Sequence, residues 1–135
     1  MSFTLRVLAP DRSVFDGSAD EVILPSTTGQ LGVLTGHVSM LTALDSGVLR
    51  VREGSGWKSI ALSGGFAEVD ADEVTVLVNA AELGSSIDTA TAEKAFEAAQ
   101  QAFNGFEGKP SSPDKIKAEK SLAIARARLS ASRGG

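Results

Sequence analysis

The sequence predicts an N-terminal antiparallel β-sandwich of about eight to ten strands, residues 1–84, followed by a C-terminal helix–loop–helix hairpin, residues 85–135. Two observations carry this prediction. Aliphatic residues recur at every second position through most of the first part, which is the period of strands with one buried face. After Gly84 the apolar spacing changes to three and four residues, the period of an amphipathic helix.

The strand pattern is clearest in three segments, at residues 3–7, 49–52 and 74–78. Stretches rich in Asp, Ser and Gly predict turns at residues 16–17, 45–47, 53–56 and 70–72. Because no helical pattern separates the strands, an antiparallel sandwich or a flattened barrel is expected. Trp57 and Phe66 are expected to pack in the core or at its rim.

The second part is predicted to form two helices joined by a loop. Ser86 and Asp88 are candidate caps of the first helix, which Asn104-Gly105 ends. Ser112 is placed to cap the second helix, with Pro113 in its first turn. The apolar stripes consist of Ala92, Ala95, Phe96, Ala99 and Phe103 in the first helix and of Ala118, Leu122, Ala125 and Leu129 in the second.

These helical stripes are rich in alanine, which has a high helix propensity but buries little apolar area. The hairpin should therefore dock weakly. A weakly docked segment of high helix propensity is able to leave its resting position and pack against another surface. The alternative is a static hairpin that stays packed on the sandwich, and composition alone leaves both open.

Composition excludes several classes of site. The chain has no cysteine, so disulfides and thiolate sites are ruled out and a reducing compartment is indicated. The N-terminus lacks a leader pattern, and no run approaches the roughly 18 apolar residues of a membrane span. The single histidine, His37, favours a turn or contact role over catalysis or a histidine metal site. The glycine-rich run at residues 29–36 lacks the Lys-Ser/Thr pair of a phosphate-binding loop.

The net charge of −4 is divided unevenly along the chain. Residues 1–112 carry 7 Lys and Arg against 15 Asp and Glu, whereas residues 113–135 carry 6 against 2. A basic helix is able to bind nucleic acid, but no aromatic residues are interleaved with it, and the acidic body would repel phosphate. An ordinary solvated helix face and docking on an acidic protein partner remain the two main interpretations.

Several motifs together resemble a known family. They are the glycine-punctuated run at residues 25–37, the following Leu41-Thr42-Ala43-Leu44, the Ser63-Gly64-Gly65-Phe66 segment and the valine-rich strand at residues 74–78. In combination, and with the alanine-rich hairpin, they resemble the epsilon subunits of F-type ATP synthases over the whole chain. Leu24-Pro25-Ser26-Thr27 and residues 47–51 are most similar to the cyanobacterial and chloroplast branch.

The resemblance implies a non-catalytic subunit whose sandwich binds the gamma subunit and touches the ring of c subunits. The implied contact residues are Thr28, Gly29, Gln30, Leu31 and His37. Some relatives carry a carboxylate at the position of Gln30, so a salt bridge from that position is replaced here by a neutral hydrogen bond. The family's location implies peripheral association with the cytoplasmic or stromal face of the thylakoid membrane.

The resemblance also implies that the hairpin regulates the enzyme, permitting turnover when folded on the sandwich and blocking ATP hydrolysis when extended along gamma. Arg126 and Arg128 are the candidate contacts with acidic segments of the alpha and beta subunits. Some bacterial relatives bind ATP through an Ile-Asp-x-x-Arg-Ala motif. Ile87, Asp88 and Ala92 match it, but Thr91 replaces the arginine, so weak or absent ATP binding and no cofactor are expected.

Two other functional classes are kept for comparison. An enzyme would need titratable groups gathered in a pocket, and its activity would depend on His37. A free-standing adaptor would be monomeric and would not copurify with a rotary complex. The epsilon-type interpretation predicts a stable complex with gamma.

Overall fold

A computed structural model of the chain describes residues 1–134. It contains eight strands, one turn of 3-10 helix and two α-helices, in two parts. The strands are β1 (Phe3–Ala9), β2 (Arg12–Ala19), β3 (Glu21–Ser26), β4 (Gly29–Leu34), β5 (Met40–Glu53), β6 (Gly56–Asp70), β7 (Glu73–Val78) and β8 (Ala81–Leu83). The 3-10 turn spans Gly84–Ser86, and the helices are α1 (Thr89–Asn104) and α2 (Pro113–Ser132).

The strands form a β-sandwich in the order β2-β1-β7-β6-β5-β3-β4, and β8 pairs with β6. The predicted fold class, including about eight strands followed by a helical hairpin, is confirmed. One pair departs from the antiparallel pattern, because β1 and β7 are parallel. Sequence alternation does not reveal this difference, since parallel and antiparallel strands share the same period of two.

The long strands β5 and β6 take part in both layers of the sandwich. The first part of β5 pairs with the last part of β6, which also pairs with β7. The last part of β5 pairs with β3, whose end also reaches Leu44 in the first part of β5, and the first part of β6 pairs with β8. The register of the β5–β6 pair skips Asp45 and Gly64, and Gly64 has a left-handed φ of +65°. The pair therefore changes layer at this point without a break in either chain.

The core between the layers is built from the inward positions of the strands. The predicted alternation is confirmed, since the alternating apolar residues of the three predicted segments are buried and the residues between them are not; the buried ones are Phe3, Leu5, Val7, Leu49, Val51, Val74, Val76 and Val78. Gly65 lets β6 and β7 approach, because a Cβ there would lie 2.1 Å from the Leu77 carbonyl oxygen. The largest fully buried side chains are Leu5, Leu24, Leu49, Ile60, Leu62, Val7, Val22, Val33, Val51, Val69, Val74 and Val76.

Two of the four predicted turns are present. Gly54 and Ser55 connect β5 to β6, and Ala71 and Asp72 connect β6 to β7 with positive φ angles at both residues. The turns predicted at residues 16–17 and 45–47 are wrong, because these residues lie inside β2 and β5. Gly47 is required for packing instead, since a Cβ there would lie 2.8 Å from the Cβ of Pro25.

Trp57 and Phe66 were expected in the core or at its rim, and the core is excluded because their side chains are 40% and 56% exposed. Phe66 follows the Gly64-Gly65 irregularity in β6, where Ala67 and Val69 take the inward positions and Phe66 points outward. Trp57 is also exposed in part, and the Arg50 guanidinium lies 4.8 Å from its ring centroid.

The helices begin at the predicted caps Asp88 and Ser112, whereas the other candidate, Ser86, lies in the 3-10 turn before α1. The Asp88 carboxylate accepts a hydrogen bond from the Thr91 N–H at the start of α1, and the Ser112 hydroxyl accepts one from the Lys115 N–H at the start of α2. The stripes are confirmed in part. The stripe residue Ala95 is exposed, whereas α2 buries two alanines outside its predicted stripe, Ala127 and Ala131.

Helix α2 docks on the sandwich through its C-terminal half. Its contacts are with β5, β6, β8 and the 3-10 turn, and α1 packs mainly on α2. A Cβ on Gly84 would lie 2.2 Å from the Ala131 carbonyl oxygen, so glycine permits the closest approach of the two parts. Among residues 1–134, no helix combines the length and apolar character that a membrane span requires.

Candidate functional site

The turn between β3 and β4 presents the predicted contact residues Thr28, Gly29 and Gln30 on the surface, with Leu31 half-buried against the core. The buried Ser26 hydroxyl lies 3.1 Å from the Thr28 hydroxyl and 3.3 Å from the Thr42 hydroxyl. This network and the Thr27 N–H bond to the Ala43 carbonyl, at 3.1 Å, tie the turn to β5. These bonds hold the turn against β5 while the polar groups of Thr28 and Gln30 stay exposed.

His37 lies at the other end of β4 from this turn. The six residues of β4 separate the two regions by about 20 Å, so the structure does not bring His37 together with Thr28–Leu31. The His37 N–H donates to the Leu34 carbonyl over 3.2 Å, and its Nδ1–H tautomer donates to the Val38 carbonyl over 2.8 Å. The imidazole thus has a backbone partner within its own turn.

The connection that carries His37 is held by the neighbouring β6–β7 turn. The Gly36 N–H donates to the Asp72 carboxylate at 2.9 Å, and the Ser39 hydroxyl donates to the Asp70 carboxylate at 3.2 Å. The β4–β5 connection and the β6–β7 turn therefore lie together at one end of the sandwich.

Three large apolar side chains lie exposed on neighbouring strands. Leu41 of β5, Phe66 of β6 and Leu77 of β7 are 68%, 56% and 55% exposed. Phe66 is directly opposite Leu77 in one pairing and opposite Ala43, two residues from Leu41, in the other. We call Leu41, Phe66 and Leu77 the apolar face. Contiguous exposed apolar residues mark interaction sites.

Sequence reasoning missed the apolar face, although a signal was present. Residues 74–78 contain the unbroken aliphatic run Val76-Leu77-Val78, which places an apolar side chain on the outward side of the strand as well as the inward side. Such a run is typical of a strand with apolar side chains on both of its faces.

Each of the three C-terminal arginines has a partner within the chain. The Arg126 guanidinium lies 5.9 Å from the Phe96 ring centroid, and Arg133 forms an ion pair with Glu93. Arg128 donates to both carboxylate oxygens of Glu82, at 2.7 and 3.4 Å. The predicted contacts Arg126 and Arg128 are thus on one helix but face different neighbours.

The residues that match the ATP motif serve local structure. Ile87 and Ala92 are buried between the hairpin and the sandwich. The Asp88 carboxylate accepts hydrogen bonds from the Thr91 hydroxyl at 2.6 Å and from the Thr91 N–H at 3.1 Å. These two bonds, the hydroxyl first, hold the pKa of Asp88 below its ordinary value. Within residues 1–134, no group of three His, Asp or Glu side chains is arranged to hold a metal ion.

The matches with family models cover the two parts of the chain separately. Residues 2–84 match the model of the ATP synthase, Delta/Epsilon chain, beta-sandwich domain, and residues 85–133 match the corresponding long alpha-helix domain. The chain belongs to the ATP synthase delta/epsilon chain family. The resemblance found in the sequence is therefore confirmed.

Relatives within this family are closely similar over nearly the whole chain. The chain is 70% identical over 133 residues to the ATP synthase epsilon chain of Parasynechococcus marenigrum (strain WH8102), covering 98% of both chains. It is 71% identical to that of Synechococcus sp. (strain CC9902), with the same coverage. These cyanobacterial relatives agree with the branch that the sequence indicated.

Two solved structures of mitochondrial ATP synthases contain a chain of similar fold. The structure of the Euglena gracilis mitochondrial ATP synthase, OSCP/F1/c-ring, contains a chain that matches with a TM-score of 0.80 and 26% identity, covering 98% of this chain and 81% of that one. A chain in the Tetrahymena thermophila mitochondrial ATP synthase central stalk and c ring matches with a TM-score of 0.61 and 17% identity, covering 95% and 94%. The second match supports the fold alone.

Proposed function

We propose that this chain is a non-catalytic rotor subunit of an ATP synthase, in which the sandwich joins the gamma subunit to the c ring and the hairpin regulates ATP hydrolysis. The membership of the epsilon-chain family and the likeness to a chain of an F1/c-ring complex support the rotor position. In a cyanobacterial or plastid setting, this position is peripheral to the thylakoid membrane, on its cytoplasmic or stromal side.

The apolar face is the observation that carries the proposed binding to gamma. Leu41, Phe66 and Leu77 are more than half exposed on adjacent strands, and their burial would contribute favourable free energy of binding. Phe66 lies between the other two, where large aromatic residues of an interface contribute most. His37 belongs to a connection beside β5 and is assigned to the same partner.

The turn at residues 27–31 is assigned to the c ring. It lies at the opposite end of β4 from His37, so the two regions are suited to different partners. Its exposed groups are hydroxyl, amide and backbone, without a charged side chain. Gln30 therefore contacts polar loops through neutral hydrogen bonds, which are less sensitive to salt than an ion pair.

The hairpin is assigned the regulatory role. Its C-terminal half carries Arg126, Arg128 and Arg133, and its docking surface is small. Arg126 and Arg128 are proposed to contact acidic segments of the alpha and beta subunits when the hairpin is extended. ATP is proposed to bind weakly or not at all, because Thr91 supplies no cation and is engaged by Asp88.

Binding to gamma is tested with purified full-length chain and gamma subunit. Phe66→Ser should weaken the complex at least tenfold, since loss of a central aromatic anchor commonly exceeds about 1.4 kcal/mol. Trp57→Ser is the control, because Trp57 is also an exposed aromatic residue of β6 but lies nine positions before Phe66, outside the apolar face and away from His37. The proposal fails if the unsubstituted chain does not bind gamma, or if both variants bind as tightly as it does.

Regulation is tested in the assembled enzyme by removal of residues 86–135. ATP hydrolysis should rise, while the truncated subunit still assembles through its sandwich. Replacement of both Arg126 and Arg128 by Ala should raise hydrolysis in part. Hydrolysis equal to that of the intact enzyme would argue that this hairpin does not inhibit.

A further inference from the structure

The contact between the hairpin and the sandwich is built from few and mostly small side chains. The buried cluster at this contact consists of Ala61, Ile87, Ala92 and Ala131, with Val48 and Leu129 packed beside it. Farther toward the N-terminus of α2, a groove of about 730 Å³ separates the helix from the bend of β5 and β6, and Ile116 and Ile124 stay exposed. Apolar packing alone therefore fixes only the C-terminal half of α2.

One polar interaction crosses the same contact. Glu82 of β8 and Arg128 of α2 form a two-point ion pair, with Arg128 Nε 2.7 Å from Glu82 Oε1 and the second nitrogen 3.4 Å from Oε2. The side chains are 40% and 32% exposed, so water screens the pair only in part. Among residues 1–134, it is the one side-chain hydrogen bond or salt bridge that joins the sandwich to the two helices.

The other two C-terminal arginines do not hold the hairpin to the sandwich. Arg126 lies over Phe96, and Arg133 pairs with Glu93, both on α1. These contacts move with the hairpin when it leaves the sandwich. Glu82 is thus the residue of the sandwich that would compete with an acidic partner surface for an arginine of the hairpin.

We propose that the Glu82–Arg128 pair is an electrostatic latch that sets the docked fraction of the hairpin and withholds Arg128 from any acidic partner surface until it opens. The second half of this inference rests on the proposed regulatory function, whereas the first half concerns the chain alone. A partner that needs Arg128 binds only the undocked population, so its apparent affinity falls with the docked fraction.

The latch gives the two residues opposite roles in inhibition. Glu82→Gln opens the latch and leaves Arg128 intact, so the hairpin is freed with its cation. Arg128→Gln opens the latch but removes the cation that the partner would bind. Loss of Glu82 should therefore strengthen inhibition, and loss of Arg128 should not.

The latch is tested first in the isolated full-length chain. Because the chain has no cysteine, Ala61→Cys introduces a single thiol beneath α2. Since Ala61 lies opposite Glu82, the rate of alkylation of this thiol is corrected for the thiolate fraction measured from the pH dependence of the rate in each variant. The corrected rate reports opening of the contact even when the open form is rare. In this background, Glu82→Gln should raise the rate roughly fivefold, which corresponds to about 1 kcal/mol. Arg133→Gln is the matched control and should leave the rate unchanged.

Charge reversal provides the second arm. Glu82→Arg alone should raise the alkylation rate further, and combination with Arg128→Glu should return it to within about twofold of the parent rate, since the pair is restored with opposite polarity. An unchanged rate in Glu82→Gln, or no recovery in the doubly reversed variant, overturns the latch.

The assembled enzyme separates the latch from the proposed regulation. If both hold, Glu82→Gln lowers ATP hydrolysis below that of the intact enzyme, and Arg128→Gln does not. Faster alkylation with unchanged hydrolysis in Glu82→Gln supports the latch and contradicts the regulatory role of the hairpin.

Discussion

At the residue scale, the most demanding position of the sandwich is Gly65. A Cβ there would lie 2.1 Å from the Leu77 carbonyl oxygen and 2.7 Å from the Val78 Cα. Both are backbone atoms, which cannot move aside by a change of rotamer as a side chain can. Gly65→Ala should therefore lower the free energy of unfolding by about 3 kcal/mol, as measured by urea denaturation. Gly32→Ala is the control, because nothing lies within 4 Å of its added Cβ, and a change of more than about 0.5 kcal/mol there would be unexpected.

Asp88 makes the start of α1 sensitive to acid. Its folded-state pKa is lowered by the Thr91 hydroxyl and N–H, so its contribution to stability is fully present above the unfolded-state pKa of about 3.9 and is lost as the pH falls through the folded-state value. Asp88→Asn keeps a capping oxygen without the charge and should remove most of this acid dependence. Circular dichroism of both proteins between neutral pH and strong acid measures it, and equal acid profiles would contradict the assignment.

Residues whose role follows from local chemistry were predictable from sequence. The caps Asp88 and Ser112 were found because an oxygen-bearing side chain directly precedes each helical pattern. Gly47 was misassigned to a turn because a glycine required for close packing in a strand looks the same in sequence as one required by a turn. Pro25, the residue whose side chain requires a glycine at position 47, lies 22 positions away in the chain.

At the scale of elements, the fit between α2 and the 3-10 turn depends on Gly84. A Cβ at Gly84 would lie 2.2 Å from the Ala131 carbonyl oxygen and 3.1 Å from that of Ser59. Gly84→Ala should therefore displace the end of α2 and widen the adjoining cavity, which is lined by Trp57. Emission of Trp57, the single tryptophan, should shift to the red.

The control for Gly84→Ala is Ser85→Ala at the next, exposed position. It should leave the emission maximum of Trp57 unchanged. Identical spectra for Gly84→Ala and the unsubstituted chain would mean that α2 accommodates a methyl group without moving.

The two faces of α2 explain why its pattern was only partly readable. Leu122 and Ala125 lie on the predicted stripe, but Ala127 and Ala131 are buried as well. Because α2 has two contact surfaces, small apolar residues occupy much of its circumference. No single stripe of period 3.6 therefore stands out in the sequence. Burial of alanine gives a weak signal because alanine is equally common on exposed helical surfaces.

At the scale of the whole molecule, the two parts differ in their dependence on each other. The main core cluster contains only residues of the sandwich, whereas the hairpin buries its few apolar residues largely in contact with the sandwich and between its own helices. Residues 1–84 alone should therefore unfold cooperatively on heating. Residues 85–135 alone should have well under half the helix content they have in the intact chain, because short helices need tertiary packing.

Circular dichroism of the two fragments tests this difference. The full-length chain with Leu122→Ala provides a matched comparison, since this substitution weakens the packing of the hairpin without removing the hairpin. A fragment of residues 1–84 that melts without cooperativity would mean that the helices are part of the folding unit.

Some features of the whole molecule could be predicted from the sequence, and others could not. The two-part fold follows from the change of periodicity, whereas the contact role of residues 28–31 was implied by the family resemblance and stays a prediction. The apolar face does not, because it arises where three strands, distant in the chain, are brought side by side by the register of β5, β6 and β7. The Glu82–Arg128 pair was equally hidden, since 46 positions separate its members.

The passage of β5 and β6 through both layers has a mechanical consequence. Two sheets joined only by side-chain packing would shear past one another under torque, but here two backbones and the hydrogen bonds between them continue across the junction. In the proposed rotor position, these continuous strands would carry a twist from one sheet to the other through covalent and hydrogen bonds. Compliance is then left to the surface turns and the helices, and the sandwich acts as a torsionally stiff coupling.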